Sequence, residues 1–284
     1  MVALTGVAGA RPALAAPSWS QIVKTLEPGW DPNSSNVCVR GDIACVKAVV
    51  AEMQRRNKPL MDTCNHNAVF SLLYLRTTQE YLRTVKGNPN FFYNTPFVNH
   101  EDAIFALYYF RAFDNYNAGR MGEVPPAWKI AFDSARDRST TGGGDLLLGI
   151  SAHINRDLPF VLDAIHAPSQ PKGKEDHDKV NEILQKVQTP AIEEAARRLD
   201  PTIDDTEIDG TRLDNALFFH TTVAPWREQA WHNALLLSTD RTVATNTIET
   251  DAETRAKSLA ASTRADDAAR EQRDSYCALH HNDP

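Results

Sequence analysis

The chain has 284 residues, 42% of them hydrophobic and 24% charged, with a formal net charge of −7. That length can bury a sizeable core, and the composition excludes a disordered or fibrous chain. The acidic balance argues against nucleic acid as a standing partner, and no run approaches the roughly 18 consecutive apolar residues of a membrane span.

Residues 1–15 read as the remnant of a secretory leader. Val2 to Ala16 is small and mostly apolar, and Ala13-Leu14-Ala15 has the A-x-A arrangement of a cleavage site, although Arg11 is its one base. Residues 16–41, with clustered Pro, Gly, Asn and Ser, read as irregular. Apolar periodicity predicts helices over Asp42–Arg56 and Asn65–Lys86, the second with Val69, Leu72, Leu73 and Leu75 inside and Glu80 and Arg83 outside. Gly87 to Asn90 breaks the pattern. An aromatic-rich helix over Asn99–Gly119, a turn at Glu123–Pro126 and a helix over Ala127–Arg138 follow.

Thr140-Thr-Gly-Gly-Gly144 reads as a flexible junction before a central helix, Asp145–Ile165, which Pro159 should kink. Pro168–Glu175 reads as a polar loop, Asp176–Leu199 as a long amphipathic helix and residues 200–210 as an exposed acidic loop. Asn215–Thr239 is helical with a break at Pro225. Residues 245–275 suggest a solvent-facing helix or a loose tail. The expected fold is all-α: one helical core over 42–244 and a polar segment over 245–284.

Four cysteines allow three disulfide pairings. Cys38 with Cys45 would close a small loop, and Cys64 with Cys277 would tie the C-terminal segment back; this pairing is preferred over the other two. The alternative is four reduced thiols. Paired cysteines and a leader would place the protein outside the cytoplasm.

Ser151-Ala-His-Ile-Asn-Arg-Asp157 carries the chemistry. His153 and Asp157, four apart, share a helix face. Imidazole and carboxylate are both zinc and iron ligands, and a buried His–Asp hydrogen bond is the plainer alternative. His66, His100 and His177 open other helices and are the further candidate ligands. Asp102 is a possible partner for one of them. His166, His220 and His232 (with Glu228) are weaker candidates, and His280 and His281 read as solvated tail residues. No serine-hydrolase elbow, phosphate loop, dinucleotide fingerprint, paired Glu-x-x-His or haem motif occurs.

The segments Asn65–Thr78, Asp102–Phe110, Ala152–Pro159, His177–Asn181 and Arg227–Trp231 resemble the bacterial family DUF5995, found mostly in actinobacteria. That resemblance brings no activity with it. A more distant similarity is to the zinc-dependent phospholipase C and P1 nuclease fold, which binds a zinc cluster. It implies a ligand set of His66, His100, His153, Asp157 and His177. The chain departs from it at Asn181, where that fold has a glutamate.

These features lead to an expected secreted, metal-dependent hydrolase of a phosphate ester. Zinc would bring a bound water to a pKa of about 7, Asp157 or Asp178 would hold that water or act as base, and Arg156 or Arg227 would meet the anionic substrate. Iron would suit a biosynthetic cyclase or oxidase instead. In a third reading the histidines are structural and Phe105, Tyr108, Tyr109, Phe110, Trp226 and Trp231 line an apolar pocket of a non-catalytic binding protein for a small molecule or lipid.

Overall fold

A computed structural model describes residues 17–204, 207–208, 211–212 and 215–284. The leader expected over 1–15 lies outside the described residues. The fold is all-α, as the sequence predicts. Helix α1 spans Ile43–Asp62, α2 Ala68–Gly87, α3 Thr95–Asn117 and α4 Pro126–Asp137. Helix α5 spans Gly142–Ser151 and runs through a widened turn at Ala152–Asp157 into α6, Leu158–Ala164. Helix α7 spans Gly173–Arg198. A second widened turn, Phe219–Val223, leads into α8, Ala224–Thr239; α9 spans Arg241–Ser262 and α10 Asp267–His280. The strand content among the described residues is a two-residue antiparallel ribbon, Glu207–Ile208 with Thr211–Arg212.

The central helix differs most from the sequence reading. Gly142-Gly-Gly144 is not a flexible junction but the first turn of α5, and every residue of α5 is buried. Thr141 caps it, its hydroxyl accepting the Gly144 N–H at 3.1 Å. The glycines let neighbours close in from all sides. A Cβ on Gly144 would stand 2.3 Å from Thr263 Oγ1, and one on Gly149 would stand 2.4 Å from Phe70 Cγ. A Gly run is a local signal for a loop, and here tight packing overrides it.

Neither Pro159 nor Pro225 ends its helix. Each sits just past a π turn, whose i→i+5 bonds widen the coil. The carbonyl four residues before each proline lies in that widened turn, so the ring does not collide with a tight α turn. Asn155 Nδ2 meets Ser151 O at 3.2 Å, serving a carbonyl at the register change.

Helix α1 packs on α2, α2 on α7, α8 on α6, and α9 on α4 and α5. The C-terminal segment is not a loose tail. Ala244, Ile248, Ala252 and Ala256, four apart, are buried along α9, and the boundary drawn at 244/245 falls inside that helix. Asp200 and Ile203, expected in an exposed loop, are also buried; Asp200 Oδ2 accepts the Gly142 N–H at 3.2 Å. Glu80 is buried rather than outside, paired with Arg83 and Lys186. Both expected disulfides are present, Cys38–Cys45 and Cys64–Cys277, the second fastening α10 beside the start of α2.

Candidate functional site

The five expected metal ligands do not meet. Among the described residues, the one group of three or more His, Cys, Asp or Glu ligand atoms close enough to hold an ion is Cys64, Cys277 and His281. Both of those cysteines are spent in a disulfide. His100 is fully buried, with Nδ1 3.0 Å from Cys38 O and Nε2 2.6 Å from Pro28 O, so a metal at either nitrogen would have to displace a backbone carbonyl. His66 lies between two acids, Nε2 2.9 Å from Asp274 and Nδ1 3.4 Å from Asp145. His177 Nε2 sits 3.2 Å from Arg227 O. Burial, then the nearby Arg227 charge, holds the His177 pKa well below the usual value. These donors do not fit the implied zinc cluster.

Asp178 is exposed and paired with Lys174, away from the interior. Arg156 is occupied by Glu249 at 2.8 Å and by Asp157 at 3.1 Å. His166, His220 and His232 are exposed. His232 lies 3.5 Å from Glu228, and His280 and His281 bond within the C-terminal turn.

His153 and Asp157 do meet, inside the first widened turn. Asp157 is completely buried and collects N–H donors: Trp128 Nε1 at 2.7 Å and His153 Nδ1 at 3.0 Å on Oδ2, and Arg156 Nη1 at 3.1 Å on Oδ1. With both oxygens accepting, Nδ1 of His153 carries the proton. Burial lowers the His153 pKa in spite of Asp157, so the ring is neutral and Nε2 is a bare acceptor. That Nε2 is buried and has no partner. The ring is fixed by a stack on Phe105, with centroids 3.5 Å apart and planes 4° from parallel. Tyr74 packs edge-on at 4.6 Å. The Tyr74 hydroxyl is also buried without a partner.

These residues border empty space. A cavity of about 100 Å³ is lined by Tyr74, Phe105 and His153 together with Phe70, Ile150 and Val187. A second, of about 80 Å³, adjoins it across Tyr74, Thr77, Phe105, Leu184 and Arg227, which line both. Asp102, whose Oδ2 also lacks a partner, borders the second. Burial raises the Asp102 carboxyl to about 8, helped by Glu101 beside it. It raises Glu101 to about 7 against the pull of Arg227. Arg227 is buried, its pKa lowered to about 10 by desolvation, with Nε held by Asn181 at 2.8 Å and Nη2 by His177 O at 2.7 Å. Asn181, the departure from the phospholipase C pattern, thus serves as an arginine holder.

Of the six aromatics expected to line a pocket, Phe105 lines both cavities. Tyr109 and Phe110 are core, and Trp231 packs against His177. Tyr74 and Trp128 escaped the sequence reading, because a single aromatic in an apolar helical run carries no signal beyond core.

A family model described as a family of unknown function (DUF5995) matches residues 46–262. That span runs from α1 to the end of α9 and takes in the whole cavity wall. No curated protein matches, and neither does any solved structure.

Proposed function

The chain belongs to the DUF5995 family, whose description assigns no activity, and we propose from the site itself that it is a binding protein for a small, largely apolar molecule. The observation that carries this reading is the pair of adjoining, partly open pockets beside α2, α3 and α7. Protein interiors leave few voids larger than a water. An apolar cavity of about 150 Å³ engineered into another protein stays dry and takes up benzene, so this space is of a useful size. Its wall is mostly Phe, Leu, Ile and Val, and Arg227 there is fixed by Asn181 and the His177 carbonyl.

The metal-dependent phosphoesterase reading has less support, because its ligand set is dispersed and its proposed base Asp178 faces solvent. Two disulfides among the four cysteines support an exported protein.

The test is calorimetric titration of the full chain with toluene, beside the cavity-filling variant Val187→Phe. Saturable binding at one site by the wild type, with a negative heat-capacity change and loss in the folded variant, is the expected result. Absence of saturable binding by the wild type would overturn the reading.

A further inference from the structure

Three ligand-type side chains converge where α10 docks on the bundle. Cys64 lies in the corner between α1 and α2, Cys277 near the end of α10, and His281 one turn further on. One ligand atom from each lies within 4.8 Å of the other two; Cys277 is buried, and Cys64 and His281 are half-buried. A tetrahedral zinc ion, with bonds of about 2.3 Å to sulfur and about 2.0–2.1 Å to nitrogen, holds such atoms roughly 3.5–3.8 Å apart. Polar ties hold this corner independently of the Cys64–Cys277 bond. His66, just past Cys64, meets Asp274, just before Cys277, at 2.9 Å. Arg138 meets the other oxygen of Asp274 at 2.5 Å, and Arg273 meets the buried Asp145 at 2.6 Å. Arg198 clamps the His281 carbonyl through Nε at 3.0 Å and Nη2 at 2.7 Å. The His281 ring is bonded to near neighbours in sequence, Nδ1 to Cys277 O at 2.9 Å and Nε2 to Asn282 Nδ2 at 2.8 Å, so either nitrogen is freed by breaking one short-range contact.

We propose that in the reduced chain Cys64, Cys277 and His281 bind a zinc ion, which replaces the disulfide as the tie between α10 and the α1–α2 corner. A dithiol supplies two electrons and two protons, the Cys64–Cys277 bond breaks to two thiols, and the dithiol closes to its own disulfide. Zinc then binds both sulfurs as thiolates, and their two protons pass to solvent. The two thiolate charges neutralise the ion, so the loaded site carries no net charge. Soft sulfur ligands beside an imidazole select zinc over magnesium or calcium. Three protein ligands leave the fourth tetrahedral position to solvent. In the oxidised chain the two sulfurs are bonded to each other, and His281 alone does not hold the ion. The corner thus has two mutually exclusive closures, chosen by redox state. The span matched by the family model takes in Cys64 but neither Cys277 nor His281, so the segment beyond that span completes the site. None of the three residues lines either cavity.

The test uses the full, untagged chain, reduced with a phosphine, which becomes its oxide and offers no thiol to the metal, and then freed of reductant without air. Calorimetric titration with zinc chloride should show one site per chain in the reduced form and none in the oxidised form. Cobalt(II) in its place should give the charge-transfer absorption of a thiolate-bound ion. Zinc should slow alkylation of Cys64, read by mass spectrometry, which separates this site from one built on Cys38 and Cys45. It should also raise the Tm of the reduced chain and leave that of the oxidised chain unmoved. His281→Ala, which leaves the disulfide and so the oxidised fold in place, should weaken zinc binding by about tenfold or more; Cys64→Ser should abolish it. No zinc binding by the reduced chain, folded or not, would overturn the proposal. So would zinc that binds without protecting Cys64, or with an affinity that His281→Ala does not change.

Discussion

His100 and His153 are both buried histidines on core helices, and the structure gives them opposite characters. At His100 both ring nitrogens lie against backbone carbonyls, those of Cys38 and Pro28, so the ring ties the irregular N-terminal segment to α3. At His153 one nitrogen is tied to Asp157 and the other faces no partner, beside a cavity. The helical pattern around each looks alike in sequence. What separates the two rings is where the second nitrogen goes, and that is a tertiary fact.

The comparison breaks most visibly in stability. His100→Ala removes the ring that ties the Cys38 and Pro28 carbonyls to α3 and opens a void at a fully buried position, and should cost about 2–4 kcal/mol. His153→Phe keeps the stack on Phe105 and removes an unmet polar atom but also the Nδ1–H that Asp157 accepts, with Trp128 and Arg156 still holding Asp157; it should cost less than His100→Ala, about 1–2 kcal/mol. Urea denaturation of the two variants checks this. Equal losses in the two would erase the distinction. Toluene binding should survive in both.

A pH effect sharpens the same contrast on the acid side of the cavity. Asp102 is raised from 3.8 to about 8 in the folded chain, so the native state keeps a proton that the unfolded chain has released. Stability from this group therefore falls as pH rises from about 4 and levels off above about 8. Glu101 adds a similar loss between its ordinary value of 4.5 and about 7. Asp102→Asn removes the Asp102 contribution, so its stability relative to wild type should rise between about pH 5 and about pH 9. Denaturation midpoints at the two ends measure this. A difference that does not change with pH would mean that the carboxyl is ionised in the fold.

Much of the fold was legible. Helices α1 to α4 and α7 carry apolar stripes at helical spacing, and the structure moves their ends by a few residues. The central helix was harder, because Gly142 to Gly144 signals a loop locally, and only the neighbours Asp200 and Thr263 explain why no Cβ fits at 142 and 144. The widened turns left one trace, a proline inside each helical pattern, at 159 and 225. In the site, the i, i+4 spacing of His153 and Asp157 was readable, whereas Arg227, expected to meet an anionic substrate, is buried and held by Asn181 and the His177 carbonyl. The other histidines misled, because a sequence does not show which carbonyls will occupy a ring nitrogen. Tyr74 and Trp128 could not be singled out, since packing and binding ask for the same aromatic residues at the same spacing.

The central claim is that the space between α2, α5 and α7 takes up a small apolar guest. The most direct measurement is the set of nuclear Overhauser contacts between bound toluene and protein methyl groups labelled with ¹³C. The account predicts contacts to Ile150 of α5 and Val187 of α7, which both line the cavity. Contacts to the exposed Leu235 and Leu236 alone, or none to any methyl group, would contradict it.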